Sequence, residues 1–109
     1  MFYRTFQKDY IPTTLILNLP IGHILEISDF SDEELKLFYK KIGSAVKKYR
    51  KEKNITQMQL ALAINHSSVG HVAKAELYKY GKHFSLEQLY KISKVLDVKM
   101  YVFFEEIDL

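Results

Sequence analysis

Apolar side chains recur every three or four positions between residues 30 and 54, which is the spacing of one face of an α-helix. Ser31 can cap the start of this helix, three acidic residues follow it, and basic residues are concentrated over 47–53. Both ends therefore match the helix dipole, and we expect a long helix over 30–54. The residues expected to face the core are Leu35, Phe38, Ile42, Ala45, Val46 and Tyr49.

A shorter helix is predicted over residues 56–64. Thr56 can cap this helix while the side chain of Gln59 reaches back to the Thr56 backbone, which is a reciprocal capping box. Asn65 lies where the helix must stop, because Asn tolerates the left-handed conformation found at many helix ends. The apolar stripe of this helix consists of Leu60, Ala61 and Ile64.

A third helix is predicted over residues 68–80, with Ser67 or Ser68 as its cap and Gly81 at its end. Its inward positions are expected to be Val72 and Ala75. A short capped helix, a tight polar turn and a second helix that opens with small polar residues are typical of a helix-turn-helix, in which the second helix enters the major groove of DNA.

A fourth helix is predicted to begin after Ser85, which forms a second capping box with Gln88, and to end at Leu96. The residues expected to face inward are Leu86, Leu89, Ile92, Val95 and Leu96. With the three helices before it, this helix completes a four-helix bundle.

Short runs of β-branched and aliphatic residues occupy 13–19 and 23–27, and the Pro and Gly between them suit a turn. Residues 98–104 also have the composition of a strand. We predict an N-terminal hairpin that pairs with this C-terminal strand in a small antiparallel sheet. Because so small a sheet leaves an exposed edge, we expect a homodimer in which the sheets meet; the alternative is a sheet that packs only on its own helices.

Basic residues are concentrated in one segment of the chain. Of the 16 Lys and Arg residues, 13 lie within residues 40–100, together with only four of the 13 Asp and Glu residues. Binding to the phosphate backbone of nucleic acid requires such a surface, since each neutralised phosphate releases condensed counterions. The alternative is a solvated lysine-rich surface.

A longer pattern extends from Arg50 to Val98. In chain order it contains Arg50, Thr56-Gln57, Leu60-Ala61, Ile64, a helix opened by Ser, Val72, Glu76, Ser85-Leu86, Leu89, Ile92 and Val95-Leu96-Asp97-Val98. This pattern resembles the Cro/C1-type (XRE) family of helix-turn-helix transcriptional regulators over roughly residues 40–98. The chain departs from the family at the turn, where Asn65 stands in place of the usual Gly, and in a longer stretch between Asn65 and Ser85.

The resemblance implies a mainly α fold, a Cro/C1-like helix-turn-helix bundle of four to five helices, to which the sequence adds the small antiparallel β element. The predicted divisions are a β-rich N-terminal extension over 1–30, a helix-turn-helix DNA-binding domain over 31–98, and a C-terminal strand and tail over 99–109.

Candidate DNA contacts lie in and around the predicted third helix. The N-terminal half of a recognition helix reaches base edges, so its Ser, His and Lys side chains are candidates, and a glycine there permits close approach. The resemblance adds a Gln that braces the recognition helix and touches a phosphate, and a basic loop along the DNA backbone. The predicted DNA-binding residues are Gln57, Ser67, Ser68, Gly70, His71, Lys74, Lys79, Lys82 and His83. For each of them the alternative is a side chain without DNA contact.

The resemblance also implies a structural role for Arg50 and Glu76. The corresponding residues of the family pair across helices, and an Arg–carboxylate pair can form two parallel hydrogen bonds. We therefore expect a salt bridge that fixes the recognition helix.

The function implied by the resemblance is sequence-specific binding of double-stranded DNA by a transcriptional regulator, acting as a repressor and as a homodimer on a palindromic operator. The alternative is an antitoxin-like protein that binds a toxin partner through its N-terminal extension and autoregulates its operon, because an unpaired strand edge can dock another chain.

Other classes of function find little support in the sequence. It lacks the H-E-x-x-H and G-x-S-x-G motifs and a glycine-rich phosphate loop, and no two of its four histidines have i, i+4 spacing, so we expect no enzyme, no cofactor and no bound metal. Without cysteine there is no disulfide framework. Residues 11–27 are too interrupted by polar residues and proline for a membrane helix, so a cytoplasmic protein is the default expectation.

Overall fold

The computed structural model describes residues 31–65 and 68–107, and these contain four α-helices. In chain order they are α1 (Asp32–Glu52), α2 (Gln57–Ala63), α3 (Val69–Leu77) and α4 (Leu86–Leu96). Two short 3-10 helices, Lys79–Gly81 and Met100–Phe104, follow α3 and α4. The predicted mainly α fold with four helices is therefore confirmed.

Each of the four helices begins at a hydroxyl side chain that accepts a hydrogen bond from a backbone N–H three residues later. These caps are Ser31, Thr56, Ser68 and Ser85. At the starts of α2 and α4 the bond is reciprocal, because Gln59 and Gln88 accept in return from the backbone N–H of the capping residue, at 2.8 and 2.9 Å. Both predicted capping boxes are confirmed, and they fix where α2 and α4 begin.

The ends of α2 and α3 both use left-handed residues. Asn65 follows α2 with φ of 66°, as predicted. Helix α3 ends at Leu77 instead of reaching residue 80, because Tyr78 adopts a left-handed conformation with φ of 54°. In this conformation the Tyr78 ring stacks on Tyr39 of α1, with 5.3 Å between ring centroids. The sequence pattern does not encode this contact between distant residues.

The hydrophobic core is formed by inward residues of all four helices, together with Phe84 and Phe103. Leu35 and Leu86 were expected to face inward and are instead exposed, because each lies in the first turn of its helix, beyond the turns that contribute to the core. The buried apolar residues are Ile42, Val46, Leu60, Ala61, Ile64, Val72, Ala75, Phe84, Leu89, Ile92, Leu96 and Phe103.

The predicted C-terminal strand over 98–104 is wrong. Met100–Phe104 is a 3-10 helix that packs against α1 and α4, with Phe103 buried edge-on to Tyr49. The periodicity of a short apolar run does not distinguish a strand from a buried helical turn. Here the packing against α1 and α4 determines the helical conformation. The described residues include no strand; the predicted N-terminal hairpin and the rest of 1–30 lie outside them.

Gly43 allows α1 and α3 to pack at unusually short range. A Cβ atom at this position would overlap the backbone carbonyl oxygens of Ala75 and Glu76, at 2.7 Å from the second of them. These are backbone atoms of α3 that no side-chain rotation can move aside. The position of α3 relative to α1 therefore depends on the absence of a side chain at Gly43.

Replacing Gly43 by Ala is expected to lower the free energy of unfolding by about 1–3 kcal/mol, because the added methyl group overpacks the α1–α3 contact. The matched control is Gly70→Ala on α3, where an added Cβ would meet only the Ser68 hydroxyl, at 3.8 Å. There we expect no loss, or a gain of up to ~1 kcal/mol. Urea unfolding followed by circular dichroism measures both, and equal stabilities would contradict the close contact.

Candidate nucleic-acid interface

The inward face of α3 is held by a buried ion pair between Arg50 at the end of α1 and Glu76. The Arg50 Nε donates to Glu76 Oε2 at 2.6 Å and Nη2 donates to Oε1 at 3.1 Å, so the two groups meet in the two-bond arrangement expected from the sequence. Their side chains are 7% and 1% exposed. Water therefore barely screens the attraction, and the pair fixes α3 in orientation as well as in position.

Two further hydrogen bonds connect this ion pair to α2. Arg50 Nη1 donates to the carbonyl oxygen of Ile55 at 2.9 Å, and Gln57 Nε2 donates to Glu76 Oε1 at 3.0 Å. Gln57 thus lies against the recognition helix, as its proposed bracing role requires. We call Arg50, Ile55, Gln57 and Glu76 the buried network; it connects the end of α1, the start of α2 and the last turn of α3.

The outward face of α3 has a different composition. Gly70, Ala73, Lys74 and Leu77 follow the i, i+3, i+4, i+7 spacing of a single helical face, and Val69 lies beside them at the N-terminal edge. Ala73 is half-buried, and the other four residues are exposed. The opposite face contains Val72, Ala75 and Glu76, which are all buried, so among the described residues the outward face is the exposed side of α3.

The first turn of α3 contains two of the predicted contact residues. Ser68 is exposed and caps the helix, with its Oγ accepting from the His71 backbone N–H at 3.0 Å. Gly70 is exposed in the same turn, and within the described residues no packing contact requires a glycine there. Ser67 lies outside the described residues.

His71 does not lie on the outward stripe. Its ring is half-buried against the start of α4, edge-on to Phe84 at 6.2 Å between centroids, and its Nε2 is 3.4 Å from Gln88 Oε1. His71 lies one helical turn before the buried Ala75, so the helical spacing places it on the side of α3 that contacts Phe84 and Gln88. Its contact with DNA stays a prediction.

Lys74 and Lys79 flank the ring of Tyr80, a residue that sequence analysis did not identify. Their Nζ atoms are 5.8 and 5.4 Å from the ring centroid. Tyr80 is 77% exposed and has a left-handed backbone, with φ of 56°. An exposed aromatic ring between lysines just after the recognition helix is the signal that could have indicated it. These residues form a basic, aromatic surface at the C-terminal end of α3.

Lys82 and His83 follow in the same loop, and both are exposed. The His83 ring stacks on Tyr39 of α1 at 4.1 Å between centroids, and its Nδ1 is 3.3 Å from the Gly81 carbonyl oxygen. The stack holds the loop against α1 while leaving Lys82 in solvent. The loop after α3 is therefore positioned by aromatic contacts, and its charges face outward.

The described residues were compared with the requirements of a metal site and of a membrane-spanning helix. Among residues 31–65 and 68–107, no three His, Asp or Glu residues cluster in a way that could hold a metal ion. In the same part of the chain, no helix has the length and apolar character required to cross a membrane.

Replacing Glu76 by Gln is expected to lower the free energy of unfolding by about 3–5 kcal/mol, because the guanidinium of Arg50 would remain buried without a counter-charge. Chemical unfolding monitored by circular dichroism at neutral pH measures the loss.

The matched control is Glu87→Gln, because Glu87 pairs with Lys91 at 2.9 Å in solvent. The hydrogen bond from Lys91, and then its positive charge, lower the pKa of the Glu87 carboxyl. Exposed pairs of this kind contribute little, so we expect the control to have nearly unchanged stability. Similar losses in the two variants would show that burial of the Arg50–Glu76 pair has no special importance.

Comparison with known proteins agrees with this geometry. Residues 46–103, more than half of the chain, match the family model described as helix-turn-helix, which is the Cro/C1-type (XRE) family. No curated protein and no solved structure matches the chain. The matched span contains the buried network, α2, α3 and α4. The family is one of DNA-binding regulatory domains and not of enzymes. The chain therefore belongs to the Cro/C1-type (XRE) family of helix-turn-helix DNA-binding regulators.

Proposed function

We propose that this protein is a sequence-specific regulator of transcription that binds double-stranded DNA, acting as a repressor and as a homodimer on a palindromic operator. The observation that carries the proposal is the division of α3 into two faces. One face is fixed to the rest of the domain by the core and the buried network. The other face, with the half-buried Ala73 among its residues, is the more exposed side of α3 within the described part of the chain, and lysines border it.

Helix α3 is proposed to lie in the major groove with its N-terminal half nearest the bases. Ser68, Gly70 and Lys74 are on the exposed side of the helix, which supports their proposed contacts. Ser67 keeps its proposed role at the turn before α3. The position of His71 against α4 makes it a weaker candidate for a base contact, and its ring is better placed to support Gln88 at the start of α4.

The residues around α3 are proposed to contact the DNA backbone. Lys79, Lys82 and His83 lie in the exposed loop after α3, where positive charge can neutralise phosphates. Gln57 is proposed to touch a phosphate at the start of α2 while its side chain braces Glu76. Phosphate contacts of this kind set the register of a recognition helix and do not themselves read sequence.

The homodimer follows from the symmetry of DNA recognition. Two recognition helices about one helical turn of DNA apart match the two halves of a palindrome. A dimer that occupies such an operator can block transcription, which is the proposed repressor activity. The antitoxin-like alternative, with a toxin partner bound by the N-terminal extension, depends on residues 1–30, which lie outside the described residues.

Binding to DNA is tested by selecting sites from a randomised duplex pool and titrating the selected duplex against salt. Replacing Lys79 and Lys82 together by Gln removes two phosphate contacts from each protomer of the homodimer, so the slope of log affinity against log salt is expected to become less steep by about 3.6, at about 0.9 for each of the four lost contacts. The control replaces Lys94 and Lys99 together by Gln, which removes the same two positive charges at the end of α4 and is expected to keep the slope. Equal slopes for all three proteins, or selection of no sequence, would contradict the proposal.

Removal of residues 1–28 distinguishes dimerisation from partner binding by the N-terminal extension. If the extension forms the dimer interface, sedimentation of the shortened chain should give a monomer, and its affinity for a palindromic site should fall because the two half-sites are no longer bound together. A shortened chain that remains a dimer with full affinity would contradict this role and favour the antitoxin-like alternative.

A further inference from the structure

The outward face of α3 is unusually poor in groups that can form hydrogen bonds with bases. Val69, Ala73 and Leu77 are spaced four residues apart and form a continuous row along the helix, which we call the apolar row. Val69 is 43% exposed and Leu77 55% exposed, although both are aliphatic. Water is an unfavourable environment for such side chains, so the row is suited to an apolar partner.

Few polar side chains of α3 and its cap can pair with bases in two hydrogen bonds. His71 lies against α4, and the Ser68 hydroxyl accepts a hydrogen bond as the helix cap, which leaves its single O–H to donate. Lys74 is the remaining polar residue of the outward stripe, and its Nζ lies near the ring of Tyr80 at the C-terminal end of α3. Its charge is therefore placed toward the DNA backbone more than toward the base edges under Val69.

Only one of the four bases offers an apolar group in the major groove. Adenine, guanine and cytosine present nitrogen and oxygen donors or acceptors, whereas thymine also presents its 5-methyl group. Asn, Gln, Arg and Lys are the side chains that read the other edges by paired hydrogen bonds, and of these the outward stripe has only Lys74. Residues four apart on a helix are separated by about 6 Å, which corresponds to about two base-pair steps.

We propose that the apolar row reads thymine methyl groups, with Val69 as the residue that determines specificity and Ala73 next to it. The ligand class is a duplex whose half-site has thymine at the positions opposite Val69 and Ala73. This inference rests on the proposed function, and it adds the chemistry by which the operator is distinguished. Lysines around the row supply sequence-independent affinity, and the methyl contacts supply discrimination.

The test uses the full chain and a duplex selected from a randomised pool. Each thymine of the selected site is replaced in turn by deoxyuridine, which keeps the base pair and removes only the methyl group. At one or two positions of each half-site we expect the dissociation constant to rise about fourfold, the amount associated with one buried methyl group. In Val69→Ala both half-sites of the homodimer lose this contact, so the affinity for the unmodified site should fall by about the square of that factor, roughly 16-fold. Deoxyuridine at the Val69 position should then have no further effect.

The control Leu37→Ala removes an exposed aliphatic side chain from α1. Helix α1 packs on the buried side of α3, so this position lies away from the proposed DNA surface. It should bind every duplex like the unaltered protein. Val69 is exposed at the first position of α3, so both variants should have unaltered circular dichroism spectra.

The outcomes separate the two proposals. If no sequence is selected, the proposed function is overturned together with this inference. If a sequence is selected but every deoxyuridine duplex binds with unchanged affinity, only the thymine-methyl inference is overturned. The same conclusion follows if deoxyuridine weakens binding equally in the unaltered protein and in Val69→Ala.

Discussion

Burying the charges of Arg50 and Glu76 restricts how the helices can be arranged, because two ions removed from water must meet at hydrogen-bond distance to offset their desolvation. The carboxylate receives two bonds from the guanidinium and a third from Gln57, and the remaining guanidinium bond goes to the Ile55 carbonyl. Within the described residues, every buried side-chain nitrogen and oxygen has a hydrogen-bond partner. Such a network contributes less to net stability than to the choice of one arrangement, since any shift of α3 leaves a charge unpaired.

This network and the contact at Gly43 hold α3 from one side, and within residues 31–65 and 68–107 most of its other side is exposed. The core occupies Val72 and Ala75, and the ion pair occupies Glu76. Exposed residues on the opposite side can therefore be selected for what they bind. A recognition helix must place its side chains against the base edges of the duplex. A small displacement of α3 would therefore remove contacts along the whole apolar row. The buried ion pair fixes the orientation of α3, and this orientation determines that the apolar row is on the exposed side.

Local interactions explain why much of the fold could be predicted from the sequence. The capping boxes at Thr56 and Ser85 and the left-handed Asn65 depend on residues within a single turn, so the sequence specifies them directly.

Contacts between distant residues explain where the structure differs from the sequence-based predictions. Tyr78 ends α3 early by stacking on Tyr39, and Phe84 and Gln88 cover the ring of His71. Within the apolar run of 98–104, Met100–Phe104 forms a 3-10 helix for the same reason, because its conformation depends on packing against α1 and α4. Of the candidate site, the Arg50–Glu76 pair follows from the family resemblance. For Tyr80 the sequence shows an aromatic residue between lysines, and its position beside Lys74 depends on the fold of the loop.

The most direct test of this account is the mapping of the DNA-binding surface by amide chemical shifts of the full chain, titrated with a duplex selected by the protein. The account predicts that the largest changes fall on residues 68–74 and 79–83, with small changes on the 3-10 helix Met100–Phe104. Changes confined to the outer side of α1 or to that 3-10 helix, with none over 68–74, would contradict the claim that the exposed face of α3 reads the DNA.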